Sequence, residues 1–174
     1  MEDCRVYLRA LEPDDYRVSI KWRKDDEIWD MLGGTKYFVS EAYEKQWVEK
    51  AIFESKDVRL AVCLKENNLL IGYVYMTDIN MINRSCHSHI LIGDKGYWGQ
   101  GYAREALAIA INYMFKERNI HRIEARILEC NQASMKMHKK LGFQVEGLIR
   151  DSVFKSGIYQ NQYILSLLKN EYEG

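Results

Sequence analysis

The chain has 174 residues, of which 47% are hydrophobic and 29% charged. That is ordinary globular composition, with enough length for a real core, and one domain over residues 1–174 is expected. Lys+Arg 25 balances Asp+Glu 25, so no nucleic-acid partner and no polybasic membrane arm is expected, and any anion site must be local.

The opening MEDCRVYLRALEPDD is charged and has no secretory h-region. The longest apolar runs, such as LLIGYVYM, are too short to cross a bilayer. Cys4, Cys63, Cys86 and Cys130 are scattered without C-x-x-C spacing, which suits free thiols in a cytoplasmic protein and no metal. Pro13 is the only proline, so no proline-rich linker divides the chain.

In chain order, CRVYLRAL alternates Val6 and Leu8 against Arg5 and Arg9, a first strand. EPDDYRVSIKW starts a helix at Pro13, with two acids behind it. From Lys24 to Ser40 the pattern breaks, and MLGGTKYFVS reads as loop. Helical spacing returns in SEAYEKQWVEKAIFES, with Ser40 as N-cap. Three strands follow: VRLAVCL, LLIGYVYMTDI and SCHSHILIG. The next helix, Gly101 to Arg118, sets Ala103, Ala106, Leu107, Ala110, Ile111 and Met114 on one stripe. RIEARIL alternates as a strand. NQASMKMHKKLGF is a short helix capped by Asn131 and stopped at Gly142. FQVEGLIRDSVF and GIYQNQYILSLL are two last strands, hinged near Lys155–Gly157. The order β-α-α-β-β-β-α-β-α-β-β implies an α/β (α+β) mixed sheet with helices packed on it.

Gly96, Gly99 and Gly101 crowd the entry to the long helix. Several glycines there let an anion approach bare backbone N–H groups at the positive end of the helix, and a pyrophosphate suits that point. The loop is neither a Walker A nor a dinucleotide fingerprint, because both spacings are absent. A glycine-rich turn without ligand is the plainer alternative.

YWGQGYAREAL resembles the acetyl-CoA-binding motif of the GNAT superfamily of N-acetyltransferases, whose core pattern is Arg/Gln-x-x-Gly-x-Gly/Ala. Gly101 and Ala103 match it. Trp98 replaces the first residue, as is usual in the branch containing the ribosomal-protein N-terminal acetyltransferases. Asn131-x-x-Ser134 and Lys140-Leu-Gly-Phe-x-x-Glu-Gly also look like that branch, as does LRALEPDD near the start. The resemblance covers nearly the whole chain. It implies the GNAT fold: a mostly antiparallel sheet of about seven strands with helices on both faces.

The resemblance further implies acetyl-CoA as cosubstrate and roles for matched positions. Ile90, Leu91 and Ile92 would pair with the pantetheine arm like an added strand. Trp98, Gly99, Gln100, Gly101, Tyr102, Ala103 and Arg104 would bind the cofactor, with the amides from Gly99 onward on the pyrophosphate. Asn131, Ser134 and Lys140 would lie along its arm, although Asn131 also reads as a helix cap alone. In the superfamily's polyamine acetyltransferases a tyrosine acid stands three residues before Leu-Gly-Phe; here that position is His138. At about 100° per residue, Asn131, Ser134 and His138 share one side of their helix. An imidazolium could serve as the acid; otherwise His138 lines the pocket. His87 stands where many relatives carry a Glu; if that Glu supports base catalysis, His87 would be the catalytic substitute for it, and otherwise the base lies elsewhere.

The acceptor site is expected between the first helices and the splayed strands. Glu27, Trp29 and Tyr37 are its candidate residues, since acids with aromatics suit a cationic amine, and equally a solvated helix edge. The activity implied is direct attack of a primary amine on the thioester. The amine could be a protein N-terminus, a polyamine or a nucleotide-linked amino sugar. The alternative is a non-catalytic acyl-CoA-binding or regulatory module. A homodimer through the last strands is a further family expectation.

Overall fold

The structure is a computed structural model that describes residues 4–54 and 56–172. In chain order it has β1 (Val6–Ala10), α1 (Tyr16–Arg23), α2 (Asp26–Met31), α3 (Glu41–Phe53), β2 (Val58–Leu64), β3 (Leu70–Asn80), β4 (Ser85–Ile92), α4 (Tyr102–Lys116), β5 (Arg122–Leu128), α5 (Gln132–Lys140), β6 (Gln144–Lys155) and β7 (Ile158–Leu168). The strands form one 7-stranded sheet in the order β1-β2-β3-β4-β5-β7-β6. Only β4 and β5 run parallel; the other pairs are antiparallel. Parallel neighbours need a crossover, and α4 supplies it.

The two faces of the sheet are covered differently. On one, the α4 stripe of Ala106, Leu107, Ala110, Ile111 and Met114 is fully buried over Val62, Val74, Ile123 and Ala125. Each buried Leu, Ile or Met there contributes about 1.5–3 kcal/mol. On the other, α1 and α2 pack Trp22 and Ile28 over Ala61, Cys63 and Tyr73, with Leu91 of β4 at the edge of the cluster. Trp22 meets Tyr73 edge-on at 5.2 Å between ring centroids. Glu44 of α3 is fully buried, yet paired. It accepts from Ser19 Oγ at 2.6 Å and Arg23 Nε at 2.9 Å, which locks α3 to α1.

One element departs from the sequence reading. The segment expected as loop from Lys24 holds the six-residue helix α2. Asp25 caps it by accepting from the amides of Glu27 and Ile28. Six residues are too few to show a helical period. The helix forms because the cap and the burial of Ile28 and Trp29 hold it.

Two glycines let β4 sit where it does. A Cβ on Gly72 would lie 2.1 Å from the Leu91 carbonyl oxygen, and one on Gly93 would lie 2.0 Å from the Trp22 ring. Gly72→Ala is therefore expected to lower unfolding free energy by about 1–3 kcal/mol. Urea unfolding measures it; an unchanged midpoint would show that β4 shifts freely to admit a methyl group.

Candidate active site

The site begins where two strands part. β4 and β5 pair only at Ser85↔Arg122, Cys86↔Ile123 and His87↔Glu124. Ser88 Oγ then donates to the Glu124 carbonyl at 3.1 Å, and beyond this the strands splay. Ser88 to Ile92 and Ala125 to Leu128 line the resulting cleft of about 650 Å³. The outer edges of both strands stay paired, β4 with β3 and β5 with β7. The inner edges therefore offer unladdered backbone, which an extended ligand can pair with.

The glycine loop closes one end. Gly99 and Gly101 have φ of +72° and +91°. A Cβ on Gly99 would meet nothing within 4 Å, so the left-handed backbone, not crowding, is what requires glycine there. The amides from Gly99 to Arg104 donate to no described group. They are the open N–H groups of a helix start. Trp98 Nε1 donates to the Ile92 carbonyl at 2.7 Å, and Gln100 Nε2 donates to the Gly96 carbonyl at 2.7 Å. Arg5 clamps the loop from below, with Nη2 to the Gln100 carbonyl at 2.7 Å and Nε to Glu105 Oε1 at 2.9 Å. Its guanidinium lies 4.1 Å from the Tyr102 ring centroid. The sequence reading passed over this role of Arg5, because its partners are about a hundred residues away.

The far wall is α5. Ser134, Met137, His138 and Lys140 line the cleft. Asn131 caps the helix by accepting from the Ser134 amide at 3.0 Å, and its Nδ2 donates to the carbonyl of Met31 in α2 at 2.9 Å. One amide hydrogen remains for a ligand. His138 is 3% exposed. Its Nδ1 lies 2.9 Å from the Ser134 carbonyl and its ring is edge-on to Phe143. Burial pushes its pKa below the ordinary 6.5, against the raising effect of the backbone hydrogen bond. A carbonyl can only accept, so this geometry assigns the neutral ring's proton to Nδ1 and the lone pair to Nε2. The imidazolium expected from sequence is thus disfavoured at rest: desolvation opposes the charge.

Other expected residues fall elsewhere. His87 is outside the cleft lining, with Nδ1 3.3 Å from Asp78 and Nε2 3.4 Å from Glu124. His89, two residues on, lines the cleft instead, with Nε2 3.0 Å from Thr77 Oγ1. Where the splay begins decides between them, and periodicity does not show it. Glu27 pairs with Lys95 at 2.9 Å. Trp29 is buried, donating from Nε1 to the Arg23 carbonyl. Tyr37 is exposed. None of these three lines the cleft; Ile28, Met31, Leu32 and Gly33 do. Helix α2 turns its apolar side inward, which a reading of the segment as loop could not foresee. Lys155 holds that wall in place by donating to the carbonyls of Trp29, Leu32 and Gly34.

The lining contains Arg104, Arg126, Lys136 and Lys140 and no Asp or Glu. Open amides and cations at the α4 end fit the phosphates of coenzyme A, and the unladdered β4 edge fits its amide-bearing arm. Among the described residues no cluster of three or more His, Cys, Asp or Glu side chains is placed to hold a metal ion. No described helix is long and apolar enough to cross a membrane.

Comparison with known proteins identifies the family and the fold. The family described as acetyltransferase (GNAT) domain matches residues 5–144. A Bacillus licheniformis protein named N-acetyltransferase p20, itself uncharacterised, is 33% identical over 172 residues, spanning 98% of this chain and 96% of its own. The spermidine N(1)-acetyltransferase of Vibrio cholerae is 29% identical over 175 residues, spanning 98% and 96%. A crystal structure of the Vibrio cholerae spermidine N-acetyltransferase in complex with CoA and spermine has a TM-score of 0.89 at 27% identity, covering 98% of this chain and 99% of that one.

Replacing Gly101 tests the loop. Gly101→Ala adds only backbone strain at positive φ, about 1–3 kcal/mol. Gly101→Glu adds a carboxylate beside the open amides as well. The expected result by calorimetry is that the Glu variant loses at least about tenfold more affinity for coenzyme A than the Ala variant. Equal affinities would remove the loop from the phosphate site.

Proposed function

The chain belongs to the GNAT acetyltransferase family and is an N-acetyltransferase, and from that premise we propose that it moves an acetyl group from acetyl-CoA to a primary amine by direct attack in a ternary complex. The observation that supports this most is the cleft itself. It leads from unbonded amides at the start of α4, along an unladdered strand edge, to the buried His138, and residues of α2 line it as well.

Each residue then has a defined task. The amides from Gly99 to Arg104 hold the pyrophosphate, with Arg104, Lys136 and Lys140 adding positive charge. Ile90 to Ile92 align the pantetheine arm. Bound acetyl-CoA supplies the activated acetyl group. A backbone N–H of β4 stabilises the oxyanion that develops on the carbonyl. The C–N bond forms, the C–S bond breaks, and the proton lost by the amine ends on the departing sulfur. His138 holds that proton at Nε2 between the two. A neutral ring can do this; a resting imidazolium cannot accept the proton. His87, turned away between Asp78 and Glu124, takes no part.

A polyamine acceptor is favoured by the names of the spermidine acetyltransferases among the relatives. Within this chain, however, Glu27 is held by Lys95.

Thiol release from acetyl-CoA, followed with purified protein and a panel of amines, tests the reaction. Acetyl-CoA binding without release for any amine would overturn it. The pH profile tests His138. Its pKa is lowered, so the neutral ring persists below pH 6.5 and turnover is lost only as pH falls through that lowered pKa. His138→Phe is expected to lower kcat by about 10²-fold or more and to remove this acid limb. A variant that loses cofactor affinity as much as turnover, with the limb intact, would make His138 a packing residue.

A further inference from the structure

The acceptor half of the cleft has a charge character of its own. The register His87↔Glu124 puts these residues on one sheet face, and two positions further on alternation puts His89 and Arg126 on that same face. It is the face of α1 and α2: Leu91, of the same parity as His89, packs with Trp22 and Ile28. The neighbours of Arg126 in sequence, Ala125 and Ile127, are buried on the opposite face, in the core under α4. Arg126 therefore lies on the sheet face that α1 and α2 cover, opposite the face of α4, and that is the side on which the acceptor is expected.

The Arg126 side chain is exposed, lines the cleft and makes no hydrogen bond or ion pair with any described residue. Around it the lining is apolar, from Ile28, Met31, Leu32 and Leu128. Several acids of the flanking elements are committed elsewhere, while Asp30 of α2 is exposed and outside the lining. Glu124 pairs with Arg122 and faces His87, Glu146 pairs with Arg122, Asp25 and Glu27 pair with Lys95, and Glu129 accepts from Asn161.

We propose that the acceptor carries an anionic group, a carboxylate or a phosphate, close to its amine, and that Arg126 receives it. This rests on the acetyltransferase reading above. A guanidinium offers two parallel N–H donors that match either anion. A polyamine would instead bring several positive charges to an unpaired guanidinium, with no carboxylate in the lining to offset them. The anion only orients the amine; the C–N bond made, the C–S bond broken and the proton passed to sulfur are unchanged.

Matched acceptors test this. Thiol release is measured with the full chain at saturating acetyl-CoA, using leucine against leucinamide for the carboxylate, glucosamine 6-phosphate against glucosamine for the phosphate, and spermidine. At least one anionic member is expected to exceed its neutral twin and spermidine by about tenfold or more in kcat/KM. In Arg126→Gln that ratio collapses toward one, chiefly through KM, while unchanged thermal unfolding shows the fold intact. Spermidine as the best substrate, or twins used equally, overturns the proposal and leaves acetyl transfer standing. An unaltered ratio in Arg126→Gln overturns the role of Arg126. Release with no member overturns the proposal, and failure to bind acetyl-CoA by calorimetry places that failure in the acetyltransferase reading itself.

Discussion

The whole site depends on β4 and β5 starting together and then parting. Three residue pairs anchor them, and the Ser88 hydroxyl donates to the carbonyl of Glu124, the last of the paired β5 residues. Past that point the free edges of both strands face a gap. Buried backbone polar groups need partners, so a gap of this kind persists only if it is wet or filled by a chain that can hydrogen-bond. The outer edges, laddered to β3 and β7, keep each strand straight while the inner edges stay available. The fold thus stores an incomplete sheet.

Distant residues keep the gap in shape. Arg5, just before β1, pins the glycine loop through Gln100 and the first turn of α4 through Glu105. Asn131 ties the start of α5 to the end of α2, and Lys155 gathers three carbonyls of α2 and the loop after it. Apart from the Arg5–Glu105 ion pair, these are bonds from side chains to backbone, so they fix chain paths and are indifferent to which side chains line the wall. The chain has no net charge, yet its cleft is lined with cations and no acid. The site's positive character comes from pairing acids elsewhere, as Lys95 and Arg122 do.

Much of this was legible in the residues. The stripe of α4, the alternation of β2 and β5, the Ser40 and Asn131 caps and the glycine loop are local patterns, and each is set by forces acting within a few residues. The family resemblance rested on those same stretches. The misreadings share a cause. Helix α2 is held by burial more than by its own period. Trp29, a candidate for the acceptor site or a solvated helix edge, is core. His87 and His89 look alike in a strand, and only the point of splay sends one to the carboxylates and the other to the cleft.

The sequence by itself determined the elements other than α2, the loop that needs positive φ and the family, because turn geometry, capping and amphipathic period are written in neighbouring residues. Only the tertiary structure decided which side chains meet in the cleft. It put Ile28, Met31 and Leu32 in the cleft lining in place of Glu27, Trp29 and Tyr37, and it left the Arg126 side chain unpaired there. It also disfavoured the charged form of His138 by burying the ring. The reason is that pairing and desolvation depend on residues brought together from far along the chain, and no local pattern records which partner a charge will find.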